Sequence, residues 1–280
     1  MLNALTIDVE DYFMVSAFAD TVKFDDWPAY ESRVEQSTMR ILDLLEGFNV
    51  KATFFMLGWV AEHHPGLATE IRNRGHEIAL HGYNHRLAYE LTRSEFREDI
   101  RKSKRIIEDI TGSAVKGYRA PSYSITKKNL WALDVLIEEG FAYDSSIFPI
   151  YHDRYGYPEF DRFPLTVTRG GVGSILEVPL STVRLMGRNI PIAGGGYLRL
   201  LPISFVEWGI RSINKKEGKH AVIYLHPWEI DPGQPRLNGS RLSSFRHNVN
   251  IGKTHSKLKR LLQRFRFGTM TETFAAELGA

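Results

Sequence analysis

Five polar clusters with the residue types of a catalytic site lie far apart in this sequence, and each closes a short apolar run. They are Asp8-Val9-Glu10-Asp11, His81-Gly82-Tyr83-Asn84-His85, Arg119-Ala120-Pro121, Asp144-Ser145-Ser146 and Leu225-His226-Pro227. Each apolar run is typical of a buried strand, and parallel α/β folds place their catalytic residues at the carboxyl ends of strands. The clusters therefore predict a metal site together with a general acid and a general base.

The pair His81 and His85 is the first indication of a metal. The spacing His-x-x-x-His is weak by itself, because a chain with ten histidines often contains such a pair by chance. This pair, however, directly follows the apolar run 77–80, and Gly82 permits a tight turn between the two side chains. Imidazoles about one turn apart can bind the same cation.

The acidic cluster after the first apolar run supplies carboxylates for the same site. Three carboxylates within four residues repel one another unless a cation or a proton lies among them. Side-chain alternation places Asp8 and Glu10 on the same side of the chain, so one can bind the metal while the other removes a proton from water. Two imidazoles and one carboxylate leave open positions on a divalent ion, as hydrolytic sites require. The alternative is an acidic loop that begins a helix.

The segments that must position these clusters alternate between strand and helix patterns. Apolar runs predict strands over residues 4–9, 50–57, 77–80, 115–118, 141–143, 175–180 and 221–225. Apolar periodicity and capping signals predict helices over residues 34–48, 59–73, 92–110, 127–139, 202–216 and 252–267. This alternation favours a parallel α/β barrel or an open parallel sheet. Residues 149–173, rich in aromatic residues, Pro and Gly, interrupt it and are predicted to be an insertion.

The composition excludes several classes of protein. The 280 residues are 43% hydrophobic and 25% charged with a net charge of +3, which suits one large α/β domain and gives no case for nucleic-acid binding. The absence of Cys removes disulfides, thiolate nucleophiles and Cys-ligated metals. No apolar run approaches the roughly 20 residues of a membrane span, and the first nine residues lack the basic start of a secretory signal. We therefore expect a soluble, cytoplasmic protein.

The order of these motifs resembles that of the polysaccharide deacetylase family (carbohydrate esterase family 4, NodB-like). Longer stretches are similar to the deacetylases associated with exosortase and PEP-CTERM exopolysaccharide loci, namely TIDVEDYF, KATFFMLGWVAE, GHEIALHGYNH, GYRAPSYSI, GGGYLRLLP and YLHPWEIDPGQPR. The resemblance extends over nearly the whole chain, from Met1 to about Met270. Because six motifs match in order, it is far more specific than any single motif.

The resemblance implies a fold and an activity. The expected fold is a distorted (β/α) barrel of about seven strands over residues 1–230, with residues 231–280 as a C-terminal extension packed on the same domain. The expected cofactor is one divalent metal, most often zinc. The expected reaction is hydrolytic removal of acetyl groups, chiefly N-acetyl, from a polysaccharide or lipid-linked oligosaccharide in exopolysaccharide biosynthesis.

The resemblance also assigns roles by position. It gives metal ligation to His81 and His85, the catalytic base to Asp8 and the general acid to His226, with Arg119 bracing the base and Asp144 orienting His226. The third ligand is Glu10 or Asp11, because Val9 separates carboxylates that are adjacent in the common family motif. We favour Glu10, which has the offset found in a family branch with Asp-x-Asp. Ser122 stands where the family usually has an aromatic residue, and its backbone N–H is expected to donate to the oxyanion.

Several aromatic and basic residues are candidates for substrate or surface contacts. Tyr12, Tyr197 and Trp228 adjoin the motifs and are expected to stack on sugar rings, although aromatic residues are more often core. The terminal basic helix, with Lys253, Lys257, Lys259, Arg260, Arg264 and Arg266, is usually only a solvated face. Its sharper interpretation is peripheral contact with an anionic membrane that carries the glycan.

Other functions remain open on the sequence. The nearest is a metal-dependent amidase that acts on a cyclic or small-molecule C–N bond. Two histidines and a carboxylate are also the ligands of a mononuclear iron oxygenase, but in such an enzyme Asp8, Arg119 and His226 would have no role. A third alternative is an inactive glycan-binding module.

Overall fold

The structure, a computed structural model, describes residues 1–152 and 154–279. Its strands are β1 (Leu2–Val9), β2 (Thr53–Met56), β3 (Glu77–Leu80), β4 (Gly117–Tyr118), β5 (Tyr143–Asp144), β6 (Leu165–Arg169), β7 (Gly173–Glu177), β8 (Thr182–Leu185), β9 (Arg188–Pro191), β10 (Val222–Leu225) and β11 (Arg266–Gly268). Every strand predicted from an apolar run is present, with bounds that differ by a few residues. The predicted insertion contains β6, which the sequence pattern did not indicate.

Seven strands form one parallel sheet in the spatial order β10, β1, β2, β3, β4, β5, β7. The edge strand β6 pairs antiparallel with β7, β11 runs parallel to the start of β1, and β8 and β9 form a separate hairpin. The α/β fold with a parallel central sheet is thus confirmed. In residues 1–152 and 154–279 no hydrogen-bonded ladder joins β7 to β10. On the open side of β10, one isolated bridge links Tyr224 of this strand to Gly194. The ring of strands is interrupted at that point.

Helices connect and flank the strands. They are α1 (Val34–Gly47), α2 (Gly58–His63), α3 (Pro65–Asn73), α4 (Arg93–Thr111), α5 (Trp131–Glu138), α6 (Gly195–Leu200), α7 (Ile203–Lys216), α8 (Arg241–Asn248), α9 (Ile251–Arg264), α10 (Met270–Thr273) and α11 (Ala275–Leu278). The predicted capping box of α4 is present, since Thr92 and Glu95 exchange both hydrogen bonds. The single helix predicted over residues 59–73 is instead two helices, because Pro65 cannot continue the first and begins the second.

The two faces of β1 belong to different cores. Leu5, Ile7 and Val9 lie in the large core that the helices cover, whereas Ala4 lies in a second core. This second core also contains Phe55, Ala79, Tyr143 and Val222 from the neighbouring strands. Because side chains alternate along a strand, Asp8 lies on the same side of β1 as Ala4 and faces the second core. The Asp8 carboxylate is therefore built into the side of the sheet that the second core covers.

The C-terminal residues pack onto the sheet that the first residues begin. Leu2 to Ala4 of β1 pair with β11. In α9, Lys257 donates to the backbone carbonyls of Leu198 and Leu201 at 2.8 Å each, and Arg260 is paired with Glu207. Two of the six basic residues that were predicted to form a solvated or membrane-facing stripe therefore make contacts within the protein instead. Among the helices described, none combines the length and apolar character that crossing a bilayer demands.

Candidate active site

Residues from three strand ends meet in one cavity. Asp8 lies at the end of β1, Glu10 just after it, His81 directly after β3 and His226 directly after β10. All of them line a cavity of about 210 Å³, together with His85. The sequence prediction that these side chains converge is therefore correct.

Glu10, His81 and His85 are grouped so that they could hold a metal ion. One ligand atom from each residue lies within 4.8 Å of the other two, and no other such group of buried or exposed side chains stands out in residues 1–152 and 154–279. Oε2 of Glu10 is 2.8 Å from Nε2 of His85 and is buried without a hydrogen-bond donor. A buried carboxylate oxygen in this position requires a positive partner, and a divalent cation among the three residues supplies one.

The protonation states also fit a metal. Burial lowers the pKa of His81 to about 4, so its ring is neutral at pH 7. Its Nδ1–H donates to the backbone carbonyl of Arg119 at 2.8 Å, which leaves Nε2 free to bind a cation. Burial raises the pKa of Glu10, but His85 and His226 outweigh burial and lower it to about 2. The residues present therefore match the donor set of a divalent metal.

Asp11 has a different task from Glu10. Its Oδ2 accepts hydrogen bonds from the backbone N–H groups of Arg33 and Val34 at 2.7 and 3.0 Å, where α1 begins. Oδ2 also accepts from the Ser32 hydroxyl, and Oδ1 accepts from the N–H of Tyr12. With both oxygens committed to the backbone, Asp11 is held as a helix cap. The geometry favours Glu10 as the carboxylate ligand.

Asp8 is braced by Arg119, as the resemblance implied. Nη1 of Arg119 donates to Oδ1 of Asp8 at 2.6 Å, and the guanidinium is fully buried. The same nitrogen donates to the Thr6 hydroxyl, and the guanidinium lies 4.0 Å from the centre of the Phe55 ring. A buried guanidinium so placed fixes the orientation of the Asp8 carboxylate.

His226 is oriented by Glu229, and the expectation that Asp144 does so is wrong. Oε1 of Glu229 is 3.0 Å from Nδ1 of His226, which leaves Nε2 facing the cavity, 3.4 Å from Oε1 of Glu10. Burial lowers the pKa of His226, but the carboxylates of Glu10 and Glu229 raise it, to about 9. The ring also stacks on Trp228. His226 is thus held as a proton donor by a residue three positions along its own chain.

Asp144 is instead half of a buried carboxyl pair. Register places it opposite Glu177 on β7, and its Oδ1 accepts from the Ser146 hydroxyl at 2.5 Å. Oδ2 of Asp144 and Oε2 of Glu177 are both buried without a hydrogen-bond donor. Burial raises the pKa of both groups, so one proton shared between them satisfies both oxygens.

Three residues of the site have left-handed backbones that are uncommon outside glycine. His85, Ser122 and Tyr123 have φ of 59°, 51° and 54°. The turn at Ser122 brings the Tyr123 hydroxyl to 3.4 Å from Oδ2 of Asp8, so the aromatic residue missing at Ser122 is present one position later. The Ser122 hydroxyl bonds to that of Ser16, which also approaches Nδ1 of His85 at 3.3 Å. Strain gathered at one cavity is typical of a functional site.

The aromatic residues predicted to bind sugar are not equivalent. Tyr12 is 1% exposed and packs edge-on against Phe13, so the prediction of a stacking role is wrong, because the turn after Asp11 directs this ring into the core. Tyr197 contacts Phe148 and lies outside the lining of the cavity. Trp228 does line the cavity, and its Nε1–H donates to Oε1 of Glu10 at 3.3 Å.

Several residues of the site were missed by the sequence analysis. They are Ser16, Tyr123, Arg154, Glu229 and Arg246. The His-Pro-Trp-Glu spacing, which puts a carboxylate one turn after His226, could have indicated Glu229. The others carry no local signal, because their positions depend on contacts between distant segments.

Two sequence families divide the chain. Residues 21–136 match the family described as polysaccharide deacetylase, and residues 145–275 match a domain of unknown function, DUF3473. A peptidoglycan-N-acetylglucosamine deacetylase of Bacillus cereus is 39% identical over 112 residues, which are 40% of this chain and 39% of that protein. A peptidoglycan deacetylase of Helicobacter pylori is 31% identical over 121 residues, 42% of this chain and 40% of that protein. The chain spans about two fifths of the length of these relatives.

Solved structures share the fold over almost the whole chain. A protein of Mycobacterium smegmatis assigned to the polysaccharide deacetylases has a TM-score of 0.64 at 20% identity, covering 99% of this chain and 91% of that one. PuuE allantoinase has a TM-score of 0.62 at 16% identity, covering 98% and 90%. A Bacillus anthracis pseudoenzyme of carbohydrate esterase family 4 reaches 0.50 at 17% identity, covering 97% and 64%. At these identities the likeness concerns the fold alone.

Proposed function

We propose that this chain, whose residues 21–136 match the polysaccharide deacetylase family, is a metal-dependent hydrolase that removes acetyl groups from a glycan. The observation that carries the proposal is the convergence of a ligand set with a separate base and a separate acid. Glu10 and the two histidines lie in the same cavity as Asp8 and His226, each of which has its own positioning partner.

The metal is proposed to be zinc, held by Glu10, His81 and His85. Two neutral imidazoles and a carboxylate are the donor set of many catalytic zinc sites. A divalent ion supplies Lewis-acid chemistry, which polarises an acetyl carbonyl and makes water more acidic. Neighbouring residues hold the two histidines in place. The backbone carbonyl of Arg119 orients His81, and the Ser16 hydroxyl approaches His85.

Asp8 is proposed as the base that takes a proton from the attacking water. Arg119 occupies Oδ1 and leaves Oδ2 on the cavity side, within 3.9 Å of Nε2 of His226. Arg119 also ties this base to β5, because its guanidinium donates to the carbonyl and the hydroxyl of Ser145. Such fixed placement removes the orientational cost of proton transfer.

His226 is proposed as the acid that protonates the departing sugar nitrogen. Glu229 accepts the Nδ1–H, so the proton to be donated is on Nε2, which faces the cavity. The backbone N–H of Ser122 is proposed to donate to the oxyanion, and in residues 1–152 and 154–279 it has no hydrogen-bond partner of its own. Trp228 stacks on the ring of His226 and lines the cavity beside it.

The substrate is proposed to be an N-acetylated polysaccharide or lipid-linked oligosaccharide. The names of the Bacillus cereus and Helicobacter pylori relatives specify peptidoglycan deacetylation, which supports an N-acetylated amino sugar. A role in exopolysaccharide biosynthesis rests on the similarity of the motif stretches to deacetylases of such loci.

A small-molecule amidase is the second candidate, favoured by the fold shared with an allantoinase. One experiment separates the two. Purified protein loaded with Zn²⁺ is incubated with acetylated chitooligosaccharides, with peptidoglycan fragments and with allantoin, and acetate and allantoate are measured. We expect acetate release that a chelator abolishes. Allantoate without acetate would establish the amidase, and neither product at any metal would indicate an inactive module.

A further inference from the structure

The cavity that contains the catalytic groups also contains cations that the proposed reaction does not use. Arg154, which precedes β6, and Arg246, on α8, both line it. Both belong to the region 145–275, the domain of unknown function. That region therefore supplies part of the cavity lining as well as His226.

Arg246 is placed firmly although its own side chain is exposed. Nη1 of the buried Arg199 donates to the backbone carbonyls of Arg246 and His247 at 2.7 and 2.6 Å, which fixes the last turn of α8. Nε of Arg199 in turn lies 3.4 Å from Oε1 of Glu229, the partner of His226. The mouth of the cavity and the proposed acid are thus joined through one buried guanidinium.

Neither mouth arginine is neutralised within the described part of the chain. The guanidinium of Arg246 has no hydrogen bond or ion pair there, and that of Arg154 makes one long contact, 3.5 Å from Nη1 to the backbone carbonyl of Ser16. The carboxylates that line the cavity are Asp8 and Glu10. Asp8 is paired with Arg119, and Glu10 lies 2.8 Å from Nε2 of His85 within the proposed metal-ligand set. The mouth is therefore positively charged, with donors free to bind an anion.

We infer that Arg154 and Arg246 bind an anionic group of the glycan beside the acetylated sugar, an inference that rests on the proposed deacetylase function. Guanidinium groups pair with carboxylates and phosphates through two parallel hydrogen bonds. A uronic acid residue and a sugar phosphate share this chemistry, so either source fits. A neutral glycan leaves both arginines in water. The difference between anionic and neutral glycans should therefore lie in KM and not in kcat, because the arginines lie at the mouth of the cavity and not at the reacting atoms.

The test compares three probes on the wild type and on Arg154→Gln, Arg246→Gln and the double variant. The probes are tetraacetylchitotetraose, which is neutral, a hyaluronan tetrasaccharide, which carries carboxylates, and diacetylchitobiosyl phosphate. Each single substitution should raise KM for an anionic probe about tenfold with kcat unchanged, which corresponds to about 1.4 kcal/mol of binding free energy. KM for the neutral probe should stay the same. Which anionic probe responds identifies carboxylate or phosphate as the source.

Matched variants control for charge and for folding. Arg241→Gln removes a charge from the same helix at an exposed position outside the cavity lining, and it should change nothing. Arg246→Lys should restore part of the lost affinity. Melting temperatures of all variants should agree.

Failure of this inference can be distinguished from failure of the proposed function. If the wild type releases acetate from all probes with equal KM and the substitutions have no effect, the anion site is wrong and the deacetylase stands. If no probe is hydrolysed, calorimetric binding of the same probes decides. If the double variant binds the anionic probes more weakly than the wild type does, the anion site is supported. If the two proteins bind these probes with equal affinity, the anion site is wrong.

Discussion

The two halves of this chain build their shares of the active site by different physical means. Up to residue 136, the proposed ligands and catalytic groups lie within a few residues of a strand end, as Asp8, Glu10 and His81 do. Beyond residue 145, the contribution depends on a network in which Glu229 links His226 to Arg199, and Arg199 links both to α8. Substitutions in the first half should therefore act locally, and those in the second should act through partners.

The largest effect is expected at the ligands of the first half. Replacing His81 or His85 with Ala should remove the bound metal and reduce acetate release below detection, since the remaining two donors hold the ion weakly. Metal content after dialysis, measured by mass spectrometry, and circular dichroism check this. Full metal occupancy in both variants would show that the ligand set is wrong.

The proton-transfer residues come next, one from each half. Asp8→Asn and His226→Ala should keep the metal and lower kcat by about 10² to 10⁴, because each removes one general acid–base contribution. The wild-type rate should fall at high pH as His226, whose pKa is raised to about 9, loses its proton. An unchanged kcat in His226→Ala would remove this residue from the mechanism.

Glu229 and Asp144 provide the sharpest test of the network in the second half. Glu229→Gln should move the alkaline limb of the rate profile to lower pH, because Glu229 contributes to the raised pKa of His226 and activity needs its protonated form. Asp144→Asn should leave that limb in place. A pH–rate profile of each variant measures the difference. If the alkaline limb shifted in Asp144→Asn and not in Glu229→Gln, Asp144 would be the residue that orients His226, as the resemblance implied. The contact between Glu229 and His226 would then have no role in the reaction.

Glu10 and Asp11 are adjacent yet should differ in kind. Glu10→Gln should empty the metal site with little loss of stability. Asp11→Ala should retain the metal but lower the free energy of unfolding by about 2 kcal/mol, because several backbone and hydroxyl donors at the start of α1 lose their acceptor. Metal analysis and urea unfolding separate the outcomes, and the reverse result would transfer the ligand role to Asp11.

The smallest effect concerns the shared proton of Asp144 and Glu177. Their pKa values are raised by burial above the ordinary carboxyl value of about 4, so the folded state binds a proton that the unfolded state has released. The stabilising contribution is complete below that pH and is lost as pH rises through the raised pKa. Glu177→Gln should flatten this dependence, shifting the alkaline decline in melting temperature by a few degrees. Parallel declines in the two proteins would exclude a shared proton.

How far the sequence could predict the site depended on the range of the contacts. The alternation of Asp8 with Val9 and the turn at Gly82 are local features, and they sufficed to bring Glu10 to the two histidines. The failure at Asp144 has a definite cause. A carboxylate after the fifth strand is compatible with either partner, and only the register of β5 with β7 pairs it with Glu177 and not with His226. The prediction that Tyr12 stacks on a sugar ring failed for a similar reason, because no local feature of the sequence indicates which way a ring points after a strand.

The sequence by itself determined the parallel α/β fold, the strand ends that carry the proposed catalytic groups and the candidate ligands, because periodicity and strand-end position are encoded over a few residues. Only the tertiary structure decided which carboxylate holds His226, that Asp11 caps a helix, and that Lys257 and Arg260 serve packing. It also decided that Arg154 and Arg246 share the catalytic cavity. The physical reason is that hydrogen-bond partners are chosen by proximity after folding, and segments far apart in the chain become neighbours only when the sheet and its helices have packed.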